Sequence, residues 1–240
     1  MASNPLGYQA IPGTDLALNP PGAISLERAR DLRPANPLRA GAERLLSLRT
    51  DEAWLRITAN AERKVAVDLE RLGSRWRILH AIPVGPDRPA ISHLVVGPPG
   101  VFTVVTRGFR ALHPRGPLDR VEAQVMGDEI KIYGSSWPYL KEARAQAWRS
   151  ARALSGAVGW QVFVRPVVAL VGVDEVRFYD IPNRVDVLPR RQVVRFLQGF
   201  PTRLDPAFIE DVYTAARLGD TWLDPAGRSP EGYSDGYSET

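Results

Sequence analysis

Residues 91–107 read ISHLVVGPPGVFTVVTR, and this stretch decides the fold. Two short apolar segments rich in β-branched residues, 91–96 and 101–105, flank a Gly-Pro-Pro-Gly turn at 97–100. Apolar runs of this length around a turn are typical of β-strands that are buried on both faces. The stretch therefore predicts a buried β-hairpin.

Helical and extended segments alternate on either side of this hairpin. The spacing of apolar residues predicts a helix over 52–72, which Gly73 ends. A Gly127-Asp128 turn predicts a second hairpin over 121–132. The other predicted elements are a strand at 76–84, a helix at 138–156, a buried strand at 162–172, a short strand at 185–188, and helices around 192–197 and 206–218. This order predicts an α/β domain with a mixed β-sheet flanked by helices.

The chain of 240 residues is long enough for one sizeable domain and two tails. Residues 1–50 are rich in Pro and Ala and dense in turn dipeptides, which predicts a mostly disordered N-terminal segment in which Ser25 caps a short helix. Residues 51–223 carry the periodic apolar pattern of the domain. Residues 224–240 contain no Val, Leu or Ile, which predicts a disordered C-terminal tail.

The composition excludes several classes of function. The chain has no cysteine, and therefore no disulfide, thiolate zinc site or cysteine nucleophile. No apolar run reaches the roughly 18 residues of a membrane span, and no signal segment opens the chain, which predicts a cytoplasmic protein without a membrane partner. Of 31 basic residues only three are lysines, a bias that suits phosphate binding but is better explained by a high-GC bacterial genome.

The ordered set of motifs resembles the nuclease-related domain, NERD, a family similar to the restriction endonucleases. The resemblance covers about residues 52–223 and is strongest over 60–107. The matching pieces are Ala61-Glu62, Trp76 to His80, Pro83-Val84-Gly85, the hairpin at 91–107, the second hairpin at 127–132, Arg165 to Val168 and Thr221-Trp222. The resemblance implies a restriction-endonuclease-like fold and Mg²⁺-dependent phosphodiester cleavage. Such a site needs carboxylates for the ion and a lysine beside them.

This sequence departs from the family pattern at three of its four site positions. The helix glutamate is retained as Glu62, but the family's aspartate falls on Ser92, the second hairpin acid on Val105 and the lysine on Arg107. Valine cannot hold a cation, serine is a poor replacement for a carboxylate, and arginine cannot act as a base. These four residues are therefore predicted to be the remnant of a catalytic site, with no metal and no cofactor bound.

Three functions remain open. The first is a catalytically inactive nuclease-fold module for nucleic-acid or protein interaction, with Arg63, Lys64 and Arg107 as the candidate phosphate contacts. The second is a Mg²⁺-dependent DNA nuclease whose metal ligands have been relocated. The candidate replacements are Asp87, Glu122, Asp128 and Glu129. The third is a structural partner protein without nucleic-acid contact. His93 adjoins Ser92 but points to the opposite face of its strand, and it is predicted to be a packed core residue.

Overall fold

The computed structural model describes residues 13–32, 51–84, 90–109, 120–180 and 184–223. The strands are β1 (Arg77–Ile82), β2 (Ile91–Gly97), β3 (Gly100–Gly108), β4 (Glu122–Met126), β5 (Glu129–Ile132), β6 (Ser135–Trp137), β7 (Val164–Val171), β8 (Glu175–Phe178) and β9 (Asp186–Pro189). The α-helices are α1 (Ala23–Asp31), α2 (Asp51–Leu69), α3 (Tyr139–Val158), α4 (Val193–Gln198) and α5 (Pro206–Ala216). Short 3-10 helices lie at Leu16–Leu18, Glu70–Leu72, Arg190–Gln192 and Gly219–Trp222.

The predicted hairpin forms the middle of a five-stranded mixed sheet with the order β1-β2-β3-β7-β9. Strands β1, β2 and β3 are antiparallel, and β3, β7 and β9 are parallel. The β2–β3 register runs from His93 opposite Val104 to Gly97 opposite Gly100, so Pro98 and Pro99 form the turn. All seven residues of β2 are buried, which confirms the prediction of a doubly covered hairpin.

Helices cover both faces of this sheet because its side chains alternate in direction. On one face Val65 and Leu69 of α2 pack with Val95 and Phe102. On the other face, Leu94 and Val96 pack with residues of α3 and α5. The α/β class and the flanking helices are therefore confirmed. Among the described residues, no helix is both long and apolar enough to span a membrane.

A second sheet, of four strands in the order β6-β5-β4-β8, was not predicted. The sequence predicted one mixed sheet, and the hairpin β4–β5 belongs to the second sheet instead. Beyond β7 the chain turns at Gly172, which has a φ of 88° and lies against the carbonyl of Phe109. This close approach leaves no room for a side chain, so the chain bends and β8 pairs in parallel with β4.

The N-terminal segment, residues 13–32, departs from the prediction of a mostly disordered lead over 1–50. Leu16 is 3% exposed in a core cluster, and Ile24 and Ala29 of α1 are also buried. The N-cap of α1 is Gly22 rather than Ser25, and a Cβ at Gly22 would lie 2.7 Å from the carbonyl oxygen of Ala59. The turn dipeptides therefore mark close packing onto α2. Residues 1–12, 33–50 and the predicted tail at 224–240 lie outside the described residues.

Helix α2 crosses the end of β3 at very short range. A Cβ at Gly108 would lie 2.9 Å from both the Cβ of Ala61 and the carbonyl oxygen of Ile57. Only a glycine permits this approach without displacing the helix backbone. The contact fixes Glu62, the next residue after Ala61, beside the end of the strand that carries Arg107.

Candidate functional site

Glu62 is the centre of the predicted remnant site, and α2 carries it inward. The side chain is 5% exposed, and the hydroxyls of Ser92 and Ser25 donate hydrogen bonds to its carboxylate. Burial raises the pKa of Glu62 above its ordinary value, and the two hydroxyls and the Arg107 charge offset only part of that rise. Burial thus stabilises the neutral form of Glu62 relative to that of an exposed glutamate, and the neutral form is a weak ligand for a divalent cation.

Ser92 joins this acid to the hairpin backbone. The β2–β3 pairing begins at His93 and Val104, so the two strands are no longer paired at Ser92. Here the backbone N–H of Thr106 donates to the Ser92 hydroxyl oxygen at 3.3 Å. The Ser92 hydroxyl in turn donates to Glu62. The Ser92 hydroxyl therefore replaces a lost ladder hydrogen bond at the end of the hairpin.

Arg107 forms an ion pair with Glu142, which α3 contributes. The two side chains are 15% and 18% exposed. Nη1 of Arg107 donates to the carbonyl oxygen of Thr106 at 2.8 Å, and the guanidinium carbon lies 4.9 Å from the centroid of the Tyr139 ring. Burial alone would lower the pKa of Arg107, but the adjacent Glu142 carboxylate outweighs it and the pKa stays above its ordinary value. Arg107 is therefore a permanent cation whose donors face groups inside the protein.

Helix α3 supplies two further polar groups. Nε2 of Gln146 donates to Glu142 at 3.1 Å and to the carbonyl oxygen of Ala90 at 3.4 Å. Gln146 is fully buried, and its Oε1 has no hydrogen-bond partner among the described residues. Burial also raises the pKa of Tyr139 to about 12. The result is a closed network of helix and hairpin residues around one arginine.

The structure brings together three of the four predicted remnant residues. Glu62 lies beside Ser92 and within the electrostatic influence of Arg107, whereas Val105 is fully buried in an apolar cluster. Four members of the network were not predicted from the sequence. They are Ser25, Tyr139, Glu142 and Gln146. For Glu142 and Gln146, the available signal was their spacing of four residues on one helix, which places them on the same side.

Two expectations about charge concern this network. Arg107 was predicted as a phosphate contact; this stays a prediction, and its Nη1 and Nη2 donate to the Thr106 carbonyl and to Glu142. The relocated metal ligands are also absent from the site among the described residues. Glu122 pairs with Arg177 at 2.8 Å, Asp128 with Arg144 at 2.7 Å, and Glu129 accepts from Ser136. Asp87 lies outside the described residues.

A Mg²⁺ ion does not fit the residues that are present. The described part of the chain contains no group of three or more His, Cys, Asp or Glu residues that could hold a metal. Of the two carboxylates near Arg107, Glu142 is already paired with the guanidinium, and burial raises the pKa of Glu62. Mg²⁺ prefers charged oxygen ligands in a near-octahedral arrangement, and this cluster supplies a cation where the ion would need anions.

His93 is not part of this network. It is fully buried opposite His80 on β1, and the two Nδ1 atoms lie 2.8 Å apart. Burial lowers the pKa of His80 to about 4, and burial together with His80 holds the pKa of His93 well below its ordinary value. One neutral ring donates to the other, so the prediction of a packed core histidine agrees with its position.

Comparison with known protein families gives a match to the part of the chain that contains these residues. The sequence of residues 57–171 matches the family model of the nuclease-related domain, NERD. Residues 57–171 are therefore similar to the NERD family. The match runs from α2 to the end of β7 and includes Glu62, Ser92, Arg107 and Glu142, but not α1 or α5. No curated protein and no solved structure matches the chain. The NERD segment therefore contains the entire arginine network except Ser25.

The Arg107–Glu142 pair predicts a large and specific loss of stability. Glu142→Gln should lower the free energy of unfolding by about 3 kcal/mol, because it leaves a mostly buried guanidinium without its counter-charge. Urea denaturation followed by circular dichroism measures this change. The matched control is Glu210→Gln, which removes the half-exposed partner of Arg77 and should cost less than about 1 kcal/mol. Equal effects of the two variants would contradict the assigned role of Glu142.

The buried histidines predict a pH-dependent stability. Since the native pKa values lie below the ordinary value near 6.5, the unfolded chain takes up protons that the native protein does not. Stability from this source is present above pH 6.5 and is lost as the pH falls towards 4. The free energy of unfolding, measured by urea titration at several pH values in this range, should rise less steeply with pH in His80→Gln. The expected reduction in slope is up to about 1.4 kcal/mol per pH unit. An unchanged slope would show that His80 titrates normally.

Proposed function

We propose that this protein is a NERD domain that has exchanged a bound metal for an internal arginine, and that it binds nucleic acid without cleaving it. The observation that carries the proposal is the Arg107–Glu142 ion pair beside the buried Glu62. Arginine keeps its charge at any relevant pH, so it cannot be removed by deprotonation to admit a metal ion. The positive charge of Arg107 holds the cluster together and takes the place of the charge that a bound metal ion would supply.

The surface of α2 supports a nucleic-acid partner. Arg63 and Lys64 are exposed on the side of the helix that faces away from the sheet. Near them, the carboxylate of Asp68 lies 3.1 Å from Arg190 and 3.6 Å from Arg71. One acid is therefore shared by two arginines. The backbone oxygen of Lys64 also accepts a hydrogen bond from Arg190. Arg63 and Lys64, unlike Arg107, remain the proposed phosphate contacts.

A second candidate function is the metal-dependent DNA nuclease. The observation that favours it is the presence of Glu142, which gives the site a second carboxylate that the hairpin lacks. This reading requires Arg107 to release Glu142 when a divalent ion binds. A cleavage assay separates the two functions.

The proposal predicts no cleavage. Supercoiled plasmid and single-stranded DNA should stay intact during prolonged incubation with the purified protein and Mg²⁺ or Mn²⁺, as judged by gel electrophoresis. Glu62→Gln, which replaces this buried acid by an amide of equal size, should give the same result. Metal-dependent cutting that Glu62→Gln abolishes, while the variant retains its urea midpoint, would establish the nuclease instead.

The proposal also predicts salt-dependent binding. Fluorescence anisotropy with labelled DNA should show affinity that falls steeply between 50 and 200 mM salt, because phosphate contacts release counterions. The double variant Arg63→Gln/Lys64→Gln should weaken binding and reduce the salt slope by about 2, one unit for each lost contact. Lys131→Gln, on the four-stranded sheet, controls for net charge. Absence of binding to any nucleic acid at low salt would favour the structural partner protein.

A further inference from the structure

Helix α3 carries more positive charge than its role in the core requires. Its 20 residues include four cations and one acid, Glu142, whose charge Arg107 neutralises. The cations are Lys141, Arg144, Arg149 and Arg152. The inner side of the helix is formed by buried residues such as Leu140, Ala143, Ala147 and Leu154. Of the four cations, Lys141 and Arg152 are exposed on the outer side, whereas Arg144 pairs with Asp128 and Arg149 is partly buried.

Three exposed side chains lie along that outer side. Lys141, Trp148 and Arg152 are separated by seven and four residues, which places them on the same side of the helix. At 1.5 Å per residue, the axial distances from Trp148 are about 10 Å to Lys141 and about 6 Å to Arg152. The surface thus presents a cation, an aromatic ring and a second cation in line. These three residues are called the α3 stripe below.

Trp148 differs from every other tryptophan of the chain. It is 39% exposed, whereas the other five are buried or partly buried. The guanidinium carbon of Arg152 lies 5.8 Å from the centroid of its ring. A large ring held at the surface beside a cation has no function in the core of the domain.

We infer that the α3 stripe is a binding site for single-stranded nucleic acid, an inference that rests on the proposed function. An unpaired base can stack on the Trp148 ring, because every base has a flat π-face. Lys141 and Arg152 lie on either side to contact the adjoining phosphates. A duplex offers the phosphates but keeps its bases paired and stacked, so the ring gains nothing from it. The stripe therefore favours single strands over duplexes.

The distribution of apolar side chains argues against a membrane surface as the partner. A helix that lies in a lipid interface needs a wide apolar face turned towards the lipid. The apolar face of α3 is buried against the sheet and α5, and its outer side offers one ring between charged residues. An isolated ring between cations fits a chain of alternating bases and phosphates better than it fits acyl chains.

The test compares a labelled oligothymidylate of 15 nucleotides with a duplex of the same length by fluorescence anisotropy on the full chain. The wild type should bind the single strand more tightly than the duplex. Trp148→Ala should weaken single-strand binding about 5- to 150-fold, equivalent to one lost stacking contact, and leave duplex binding unchanged. Trp148→Phe should restore most of the loss. Arg152→Gln should weaken binding and reduce the salt slope by about one.

Matched controls separate the α3 stripe from general surface effects. Phe163→Ala removes another exposed aromatic ring, at the start of β7, and should not change binding. Arg191→Gln removes an exposed cation next to α4 and controls for charge. Because Trp148 is 39% exposed, Trp148→Phe should keep a urea midpoint near that of the wild type, and the midpoint of Trp148→Ala shows whether that variant is folded under the conditions of the binding assay.

The outcomes distinguish this inference from the proposed function. Equal affinity for both oligonucleotides, with no effect of Trp148→Ala, overturns the α3 stripe but leaves nucleic-acid binding in place. Failure to bind either oligonucleotide at low salt overturns both. Sedimentation with vesicles of phosphatidylserine and phosphatidylcholine tests the lipid alternative. Vesicle binding that Trp148→Ala abolishes, without a change in single-strand affinity, would also overturn the inference.

Discussion

The interaction on which the arrangement of this domain depends is the ion pair between Arg107 and Glu142. It joins the end of β3 to the first turn of α3, and so connects the central hairpin to the helix on the opposite side from α2. A buried charge is tolerated only when its partners are present, and Arg107 finds them in Glu142, the Thr106 carbonyl and the face of Tyr139. A metal-binding relative would need the same space to hold anions around an ion. Here the guanidinium of Arg107 supplies a positive charge between the two carboxylates from within the protein.

The sequence predicted most of the fold because its strongest signals are local. The Gly-Pro-Pro-Gly turn, the helical spacing over 52–72 and the Gly127-Asp128 turn each specify an element within a few residues, and each element is present. The second sheet could not be predicted, because the pairing of β4 with β8 joins residues about 50 positions apart. The short helix predicted after Ser25 is present as α1, but its burial could not be predicted, since that burial depends on contact between Gly22 and Ala59. Local pattern specifies elements, but long-range contact decides which of them pair.

The same distinction explains what was found and missed in the site. Glu62, Ser92 and Arg107 were recognised because they fall on fixed positions of a family motif. Glu142 and Gln146 lie on α3, which no motif connects to the hairpin, and Ser25 comes from a segment outside the NERD match. Loss of the hairpin acids was visible from the sequence. The reason that Arg107 is tolerated at this position could not be predicted, because its counter-charge, Glu142, lies 35 residues away on a helix.

The position of Ser25 shows that the N-terminal segment takes part in the altered site. Helix α1 packs on α2 through Gly22, and the Ser25 hydroxyl then reaches the Glu62 carboxylate. An acid that bound a metal would need an open side for the ion and its water ligands. Glu62 instead has a hydroxyl on each of two elements, from β2 and from α1, and burial raises its pKa. The carboxylate thus contacts groups of two other elements, β2 and α1, in addition to its own helix.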